Sequence, residues 1–476
     1  MPLRRLFFIA LTALIVMAAG SAAPSQAIAA ASDGVSASAA LAAQIRHAIK
    51  AQGFEEVLDT TPLVTSSAAA AANLPHDKYD PTPAALAPRV ALAASDFAPI
   101  HQTPNIDAMV IELDSRGRPS AFADVLFSPQ YPQGTVVPLD RNLFTDQVRW
   151  QWWDDTEWDT MNGRGTRDVL PGREQAPLQF TSPYPASVLK LMVGFGILRL
   201  ADQGRLSLED KYHYKPVVLN PACGGAVTKP IRQFFDEMIT VSRNESTCAL
   251  IKLLHDFQAM GDLNQTFVDM GLQTLQITGT NPDNGGHWIG TNMSAMDTAK
   301  LLLVVNSGAD SLWTTPAGRR VGGDVLSRAS RQFFLAELQD QAHNEMLSTT
   351  NWCGRGYPAP GIPQVTPQRW IDPVDGTMTV DGARYGQDVR PCNASAQVTF
   401  AHKNGWVDTS GNDAGIVHSL PGKAERSYVV AVFSNLGFRY IDPNRPADPP
   451  GIAPVLFTER FARLGLAIDR IATSHD

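Results

Sequence analysis

One run of the chain narrows the folds open to it. Val188 to Leu200 is almost wholly apolar, stands behind Pro183 and Pro185, and carries Lys190 near its start. Proline ahead of such a run predicts the N-terminus of a buried helix. Ser187 sits at that start, and positions i and i+3 share a helix face, so Lys190 stands one turn above Ser187. A serine hydroxyl is a weak nucleophile until a neighbouring base takes its proton. Lysine can serve as that base when its amine is partly neutral, a state favoured by burial and by a second cation. The helix N-terminus adds a backbone N–H for a developing oxyanion. Alone, Ser187-Val188-Leu189-Lys190 reads more readily as a helix start with a surface lysine, because S-x-x-K arises by chance about once in a chain this long.

Two further strings follow in order. Ser242-Arg243-Asn244 lies between the apolar Met238 to Val241 and a helix-like stretch from Ser246 to Leu254. A polar junction between two helices can point into a cleft; as an isolated string it is a helix cap, since Ser and Asn are favoured there. Lys403-Asn404-Gly405 follows the β-like Val398-Thr399-Phe400 and precedes two more β-like runs, Asp413 to Val417 and Tyr428 to Ser434. By itself it is a common lysine-glycine turn.

Together, Ser187-Val188-Leu189-Lys190, Ser242-Arg243-Asn244 and Lys403-Asn404-Gly405 resemble the S-x-x-K, S-x-N and K-T-G sets of the serine β-lactamases and penicillin-binding D,D-peptidases. Gly204 to Asp210 resembles the family's exit from its first helix, and Met293 to Asp297 its later helix start, with a capping-box pattern. The resemblance covers roughly residues 104 to 470. It implies an α/β (α+β) fold, with an antiparallel five-stranded sheet flanked by helices, a helical lobe, and a cleft between them. It also implies that Ser187 is the nucleophile, that Lys190 takes its proton, and that Ser242 with Lys403 returns one to the leaving nitrogen. Asn244 would bind the substrate amide, Lys403 would attract a substrate carboxylate, and Gly405 would let the substrate backbone approach. The Trp406 N–H would join that of Ser187 as the second oxyanion donor. Asn404 departs from the pattern, standing where the family has Thr or Ser; as a substrate-binding residue its amide can still donate to a carboxylate, but its different reach leaves substrate preference open.

Class A β-lactamases deacylate with an omega-loop glutamate acting through water. The corresponding stretch, Leu272 to Asn292, holds no glutamate; Asp283 is its only carboxylate and His287 the only other base. An aspartate beside Pro and Asn is more often a turn residue. The expectation is therefore a D,D-peptidase-like enzyme acting on D-Ala-D-Ala-type peptide amides or β-lactams. The alternatives are a class A-type β-lactamase with a displaced base, a non-enzymatic sensor of penicillin or wall fragments, and a general esterase.

The rest of the chain bounds these readings. Its 476 residues suffice for one large domain with additions. A formal charge of -8 argues against nucleic acid as a partner. Its ten histidines include no H-E-x-x-H or paired-cysteine spacing, so neither a metal nor a cofactor is expected. Arg4-Arg5, the apolar Leu6 to Ala19 and Ser25-Gln26-Ala27 form a secretory signal pattern over residues 1–27. Export to the periplasm or exterior follows, by the general or the twin-arginine route, with membrane attachment only if the segment stays uncleaved. The four cysteines of an exported chain permit two bridges, and Cys223–Cys248 and Cys353–Cys392 each bracket a local segment; buried free thiols are the alternative.

Residues 28–103 read as an Ala- and Pro-rich linker with one amphipathic patch, Leu41 to Phe54, and the hydrolase domain spans 104–476. Asp107 to Asp114 is the expected first strand, and Gly451 to Ile468 a C-terminal helix over the sheet. Two inserts stand out. Residues 128–179 place Trp150, Trp152, Trp153 and Trp158 among Asp154, Asp155, Glu157 and Asp159, a composition suited to packing first and glycan contact second. Residues 354–397 run into Lys403 and either rim the cleft or form a passive loop.

Overall fold

Two stretches far apart in sequence pair into one antiparallel sheet. The computed structural model describes residues 24–60, 97–100, 102–154, 165, 167–353, 360–443, 445 and 451–474. The strands are β1 (Ile106–Leu113), β2 (Pro119–Ser128), β3 (Tyr131–Val136), β4 (Val398–Val407), β5 (Ser410–Ser419) and β6 (Ser427–Ser434). They lie in the order β4-β5-β6-β1-β2-β3. The sheet therefore has six strands where five were expected. The extra one is β3, the start of the first insert, which turns back at Ser128–Tyr131 and pairs with β2.

Strand periodicity explains why the sheet is buried on both faces. Successive side chains point to opposite faces. Met109, Ile111 and Leu113 of β1 enter one core with Val429, Ala431 and Phe433 of β6. Ile106, Ala108 and Val110 enter the other with Tyr428, Val430 and Val432.

The helices are α1 (Pro24–Lys50), α2 (Lys190–Asp202), α3 (Ile231–Thr240), α4 (Asn244–Asp256), α5 (Met260–Asp269), α6 (Ala295–Asn306), α7 (Arg328–Gln339) and α8 (Glu459–Thr473). Helices α2 to α7 form the lobe that shares the first core. Helix α2 is buried almost all round, as its composition requires; Phe195 packs on Phe267 of α5. Ser294 caps α6, its hydroxyl accepting from the Asp297 N–H at 3.2 Å.

The second face is covered by α1 and α8. This corrects the linker expectation over residues 28–40, while the amphipathic patch singled out from Leu41 onward does lie in a helix as far as Lys50. Leu41, Ile45 and Ile49 recur every four residues and are buried against the sheet, a stripe obscured in the sequence by the surrounding alanines. Phe54 then meets Phe461 of α8 with ring centroids 4.9 Å apart, and Leu58–Asp59 pairs with Tyr440–Ile441. Residues 1–23 and 61–96 lie outside the described residues, and the expected cleavage point after Ala27 falls within the bounds of α1. Among the described residues no helix is long and apolar enough to cross a membrane.

The inserts are structured in part. Trp150 is buried, edge-on to Phe180 at 5.8 Å, so it serves packing rather than glycan contact. Trp158, Asp155, Glu157 and Asp159 lie outside the described residues. The second insert forms a hairpin, Thr377–Val380 with Ala383–Asp388. Both expected disulfides are present, Cys223–Cys248 and Cys353–Cys392.

Candidate active site

Ser187 lies on a single 3-10 turn, Ala186–Leu189, that leads into α2. The turn is entered through Ala186 at a φ of 47°, left-handed backbone that costs a non-glycine residue about 1 kcal/mol and clusters at functional sites. Strand β4 at the edge of the sheet runs against this turn. A Cβ on Gly405 would stand 2.5 Å from the Ser187 nitrogen and 2.8 Å from that of Val188. Glycine is thus required for the strand to approach the serine's own backbone, a different reason from the substrate clearance expected of it.

Lys190 opens α2 and is fully buried. Its Nζ donates to Asn244 Oδ1 at 2.8 Å, to Ser242 Oγ at 3.0 Å and to the Ser242 carbonyl at 2.5 Å. The first two motifs therefore meet through one amine. Ser242 is also left-handed, with a φ of 59°, in the tight passage from α3 to α4. That passage is braced from below: the Arg243 N–H donates to the Glu237 carbonyl at 2.9 Å. Glu237 also receives Ser246 Oγ at 2.5 Å and Lys229 Nζ at 2.8 Å. The Lys229 and Ser246 bonds help hold the Glu237 carboxyl below the usual range, against the opposing effect of burial.

Lys403, on β4, is fully buried. Burial first, and the Lys190 charge second, push its amine well below the usual lysine range, while Asp413 and Glu345 act in the opposite sense. Its Nζ donates to the Asn404 carbonyl at 2.8 Å. Asn404 is buried too, and its Nδ2 donates to the His343 carbonyl at 2.9 Å. Neither side chain lines the cleft, so the expected direct grip of Asn404 on substrate is not what the geometry presents. The amide is turned into the protein to anchor the adjacent segment.

The cleft encloses 480 Å³ and is lined by Ser187, Ser242, Asn244 and Trp406 among the expected residues. Its rim includes Asn220, Ala222 and Cys223, whose loop the Cys223–Cys248 bridge ties to α4. His287 lines the cleft at a φ of 64°, whereas Asp283 does not; Asp283 is exposed and its carbonyl accepts the Val217 N–H at 2.8 Å. Asp283 is thus a turn residue.

Sequence reasoning missed a second group of lining residues: Glu245, His343, Glu345 and Tyr385. His343 and Glu345 follow α7 in a segment without a motif, and Tyr385 comes from the second insert, which does rim the cleft. Tyr385 donates its hydroxyl to Glu345 Oε1, and burial with the Glu345 charge raises its pKa well above the usual tyrosine value. Only the sparse titratable pair His343 and Glu345, two apart, offered any signal. No cluster of His, Cys, Asp and Glu among the described residues is arranged to hold a metal ion.

Residues 176–354 match the protein family described as the beta-lactamase enzyme family. No curated protein sequence matches the chain. Among solved structures, PBP-A is similar at 18% identity and a TM-score of 0.41, over 78% of this chain and 90% of that one. A beta-lactamase from Chitinophaga pinensis DSM 2588 is similar at 17% identity and a TM-score of 0.36, over 62% and 86%. The TLA-3 extended-spectrum beta-lactamase is similar at 13% identity and a TM-score of 0.40, over 78% and 94%. The family match begins ahead of the turn bearing Ser187 and takes in Lys190, Ser242 and Asn244, and it ends before Lys403.

Proposed function

We propose that the protein is an exported acyl-transferring serine hydrolase that opens β-lactams and D-Ala-D-Ala-type peptide amides, with peptidase-like slow release. The observation that carries this is the Lys190 amine, buried and bonded at once to Ser242 Oγ and Asn244 Oδ1, one turn from Ser187. Lys190 accepts the Ser187 hydroxyl proton as the Oγ–carbonyl bond forms. Ser242, within reach of Lys190, passes a proton to the leaving nitrogen as the C–N bond breaks. Water then cleaves the ester and restores Ser187. The contact between Gly405 and the Ser187 nitrogen supports Trp406 N–H and Ser187 N–H as the oxyanion pair, since Trp406 is the next residue of the strand.

Lys403 stands behind the cleft without lining it, and its proximity to Lys190 favours a neutral amine on one of the two. Peptidase-like release is supported by the absence of Asp283 from the residues lining the cleft, since it is the one carboxylate of the expected loop. Two disulfides support an oxidising compartment. The signal pattern in residues 1–27 is the basis for export, and the substrate is a small wall-derived peptide or lactam.

Incubation of the mature protein with a fluorescent penicillin, against Ser187→Ala, tests the reading. A Ser187-dependent adduct that persists supports it. An adduct accompanied by rapid substrate loss makes the protein a β-lactamase with its base elsewhere. A stoichiometric adduct with no turnover of any peptide or ester makes it a sensor, and no adduct removes the reading.

A further inference from the structure

A strap of five residues after α7, Gln341 to Glu345, stitches the end of α3 to strand β4. The Ala342 N–H donates to the Thr240 carbonyl at 2.8 Å. Gln341 Nε2 donates to the Ile239 carbonyl at 3.0 Å and lies 3.3 Å from that of His402. Asn404 Nδ2 returns a bond to the His343 carbonyl at 2.9 Å. The strap thus holds the helical lobe to the sheet just behind Ser242.

His343 and Glu345 are side chains of the strap that line the cleft. His343 Nδ1 lies 3.2 Å from Glu345 Oε1 and 3.4 Å from the Tyr385 hydroxyl. Its Nε2 lies 3.3 Å from the Val241 carbonyl, and its ring meets Trp406 edge-on at 5.4 Å. An N–H on Nε2 donates to the Val241 carbonyl, while the Nδ1 edge faces Glu345 and Tyr385.

We propose that His343, held by Glu345 and Tyr385, is a positioning residue that clamps the Val241 carbonyl and so sets the placement of Ser242 over Lys190. This rests on the reading of Ser187 as nucleophile. Ser242 needs such a clamp because its left-handed backbone is uphill for a serine and relaxes unless its surroundings hold it. The Lys190 bonds pull the loop from α2, and His343 holds it from the sheet side. Glu345 is well placed to hold the ring, since its side chain is 2% exposed and Oε1 receives both the ring and the tyrosine.

The test is the rate of Ser187 acylation by a fluorescent penicillin in wild type, His343→Gln, Glu345→Gln and Tyr385→Phe. Hydrogen exchange of the 241–244 amides and thermal melting are followed alongside. His343→Gln is expected to acylate about tenfold more slowly, the scale of a sub-ångström misplacement. Glu345→Gln, which loosens the hold on the ring, changes in the same direction by less. In both, loop exchange quickens while the melting temperature holds. A His343→Gln acylation rate and loop exchange equal to wild type overturn the proposal, as does a fall tracking a lower melting temperature. If His343→Gln does not fold, loop exchange in Glu345→Gln decides. If wild type forms no adduct, the nucleophile reading fails, and loop exchange in His343→Gln still tests the clamp.

Discussion

Gly405→Ala introduces one methyl group at the point where strand β4 meets the turn carrying Ser187. The new carbon falls 2.5 Å from the Ser187 nitrogen, 2.8 Å from the Val188 nitrogen and 2.9 Å from the Pro185 carbonyl oxygen. All three are backbone atoms, so no side chain can swing away. To restore ordinary contact near 3.4 Å the turn must retreat by about 0.9 Å. Overpacking of this kind costs about 1–3 kcal/mol of stability. The same retreat separates the two N–H groups assigned to the oxyanion, and a misplacement near 1 Å costs about 100-fold in rate. Urea unfolding gives the first quantity and burst-phase labelling by a fluorescent penicillin the second. Both are expected to fall together. A variant that keeps its stability and acylation rate but needs more substrate for half-saturation would overturn this explanation, because glycine would then be clearing space for substrate.

Three further outcomes are expected. Asp107 and Asp124 lie diagonally on neighbouring strands, buried with unpaired oxygens; desolvation raises Asp107 to about 6 and Asp124 well above the usual range. Raised folded values mean stability present at low pH and lost as pH climbs through the folded value. Asp107→Asn should therefore be more stable than wild type at pH 8, by about 3 kcal/mol at most, and equal to it at pH 4; equal stability at both pH values removes the argument. Lys403 is depressed chiefly by burial, so the amine costs stability whenever it is charged. Lys403→Met should raise the melting temperature at pH 7 while suppressing the Ser187 adduct, and a lower melting temperature counts against this account. Replacing Cys223 and Cys248 by Ser opens a loop of sequence separation 25, which should cost about 3 kcal/mol in urea and disturb the cleft rim at Asn220 and Ala222; unchanged stability contradicts the estimate.

What the sequence disclosed and what it withheld follow physical lines. Val188 to Leu200 is apolar on every side, so its burial was legible, and Lys190 within it marked the chemistry. Strands β1, β5 and β6 were legible because β-like runs beside turns are local signals. Asn404 and Gly405 were visible as residues but not in their roles: one anchors the strap and the other clears a backbone, and both depend on segments distant in sequence. His343, Glu345 and Tyr385 converge from a helix exit and an insert, with no spacing that marks them. Helix α1 was half legible, since the period of Leu41, Ile45 and Ile49 is regular but diluted by small residues that mimic a linker.

The docking of α1 has a consequence for what counts as the domain. The family match begins at residue 176, whereas Leu41, Ile45 and Ile49 fill a sheet face that no other described helix besides α8 covers. Phe54 leans on α8 and Leu58–Asp59 pairs with Tyr440–Ile441, so the segment after α1 and the segments around α8 fasten each other. A chain trimmed to begin at residue 104 would keep every residue assigned to chemistry and lay bare an oily wall. Such a fragment is expected to clump in solution while its cleft is intact in principle. Sequence similarity and cooperativity draw different borders here, and the border that matters for making the protein is the wider one.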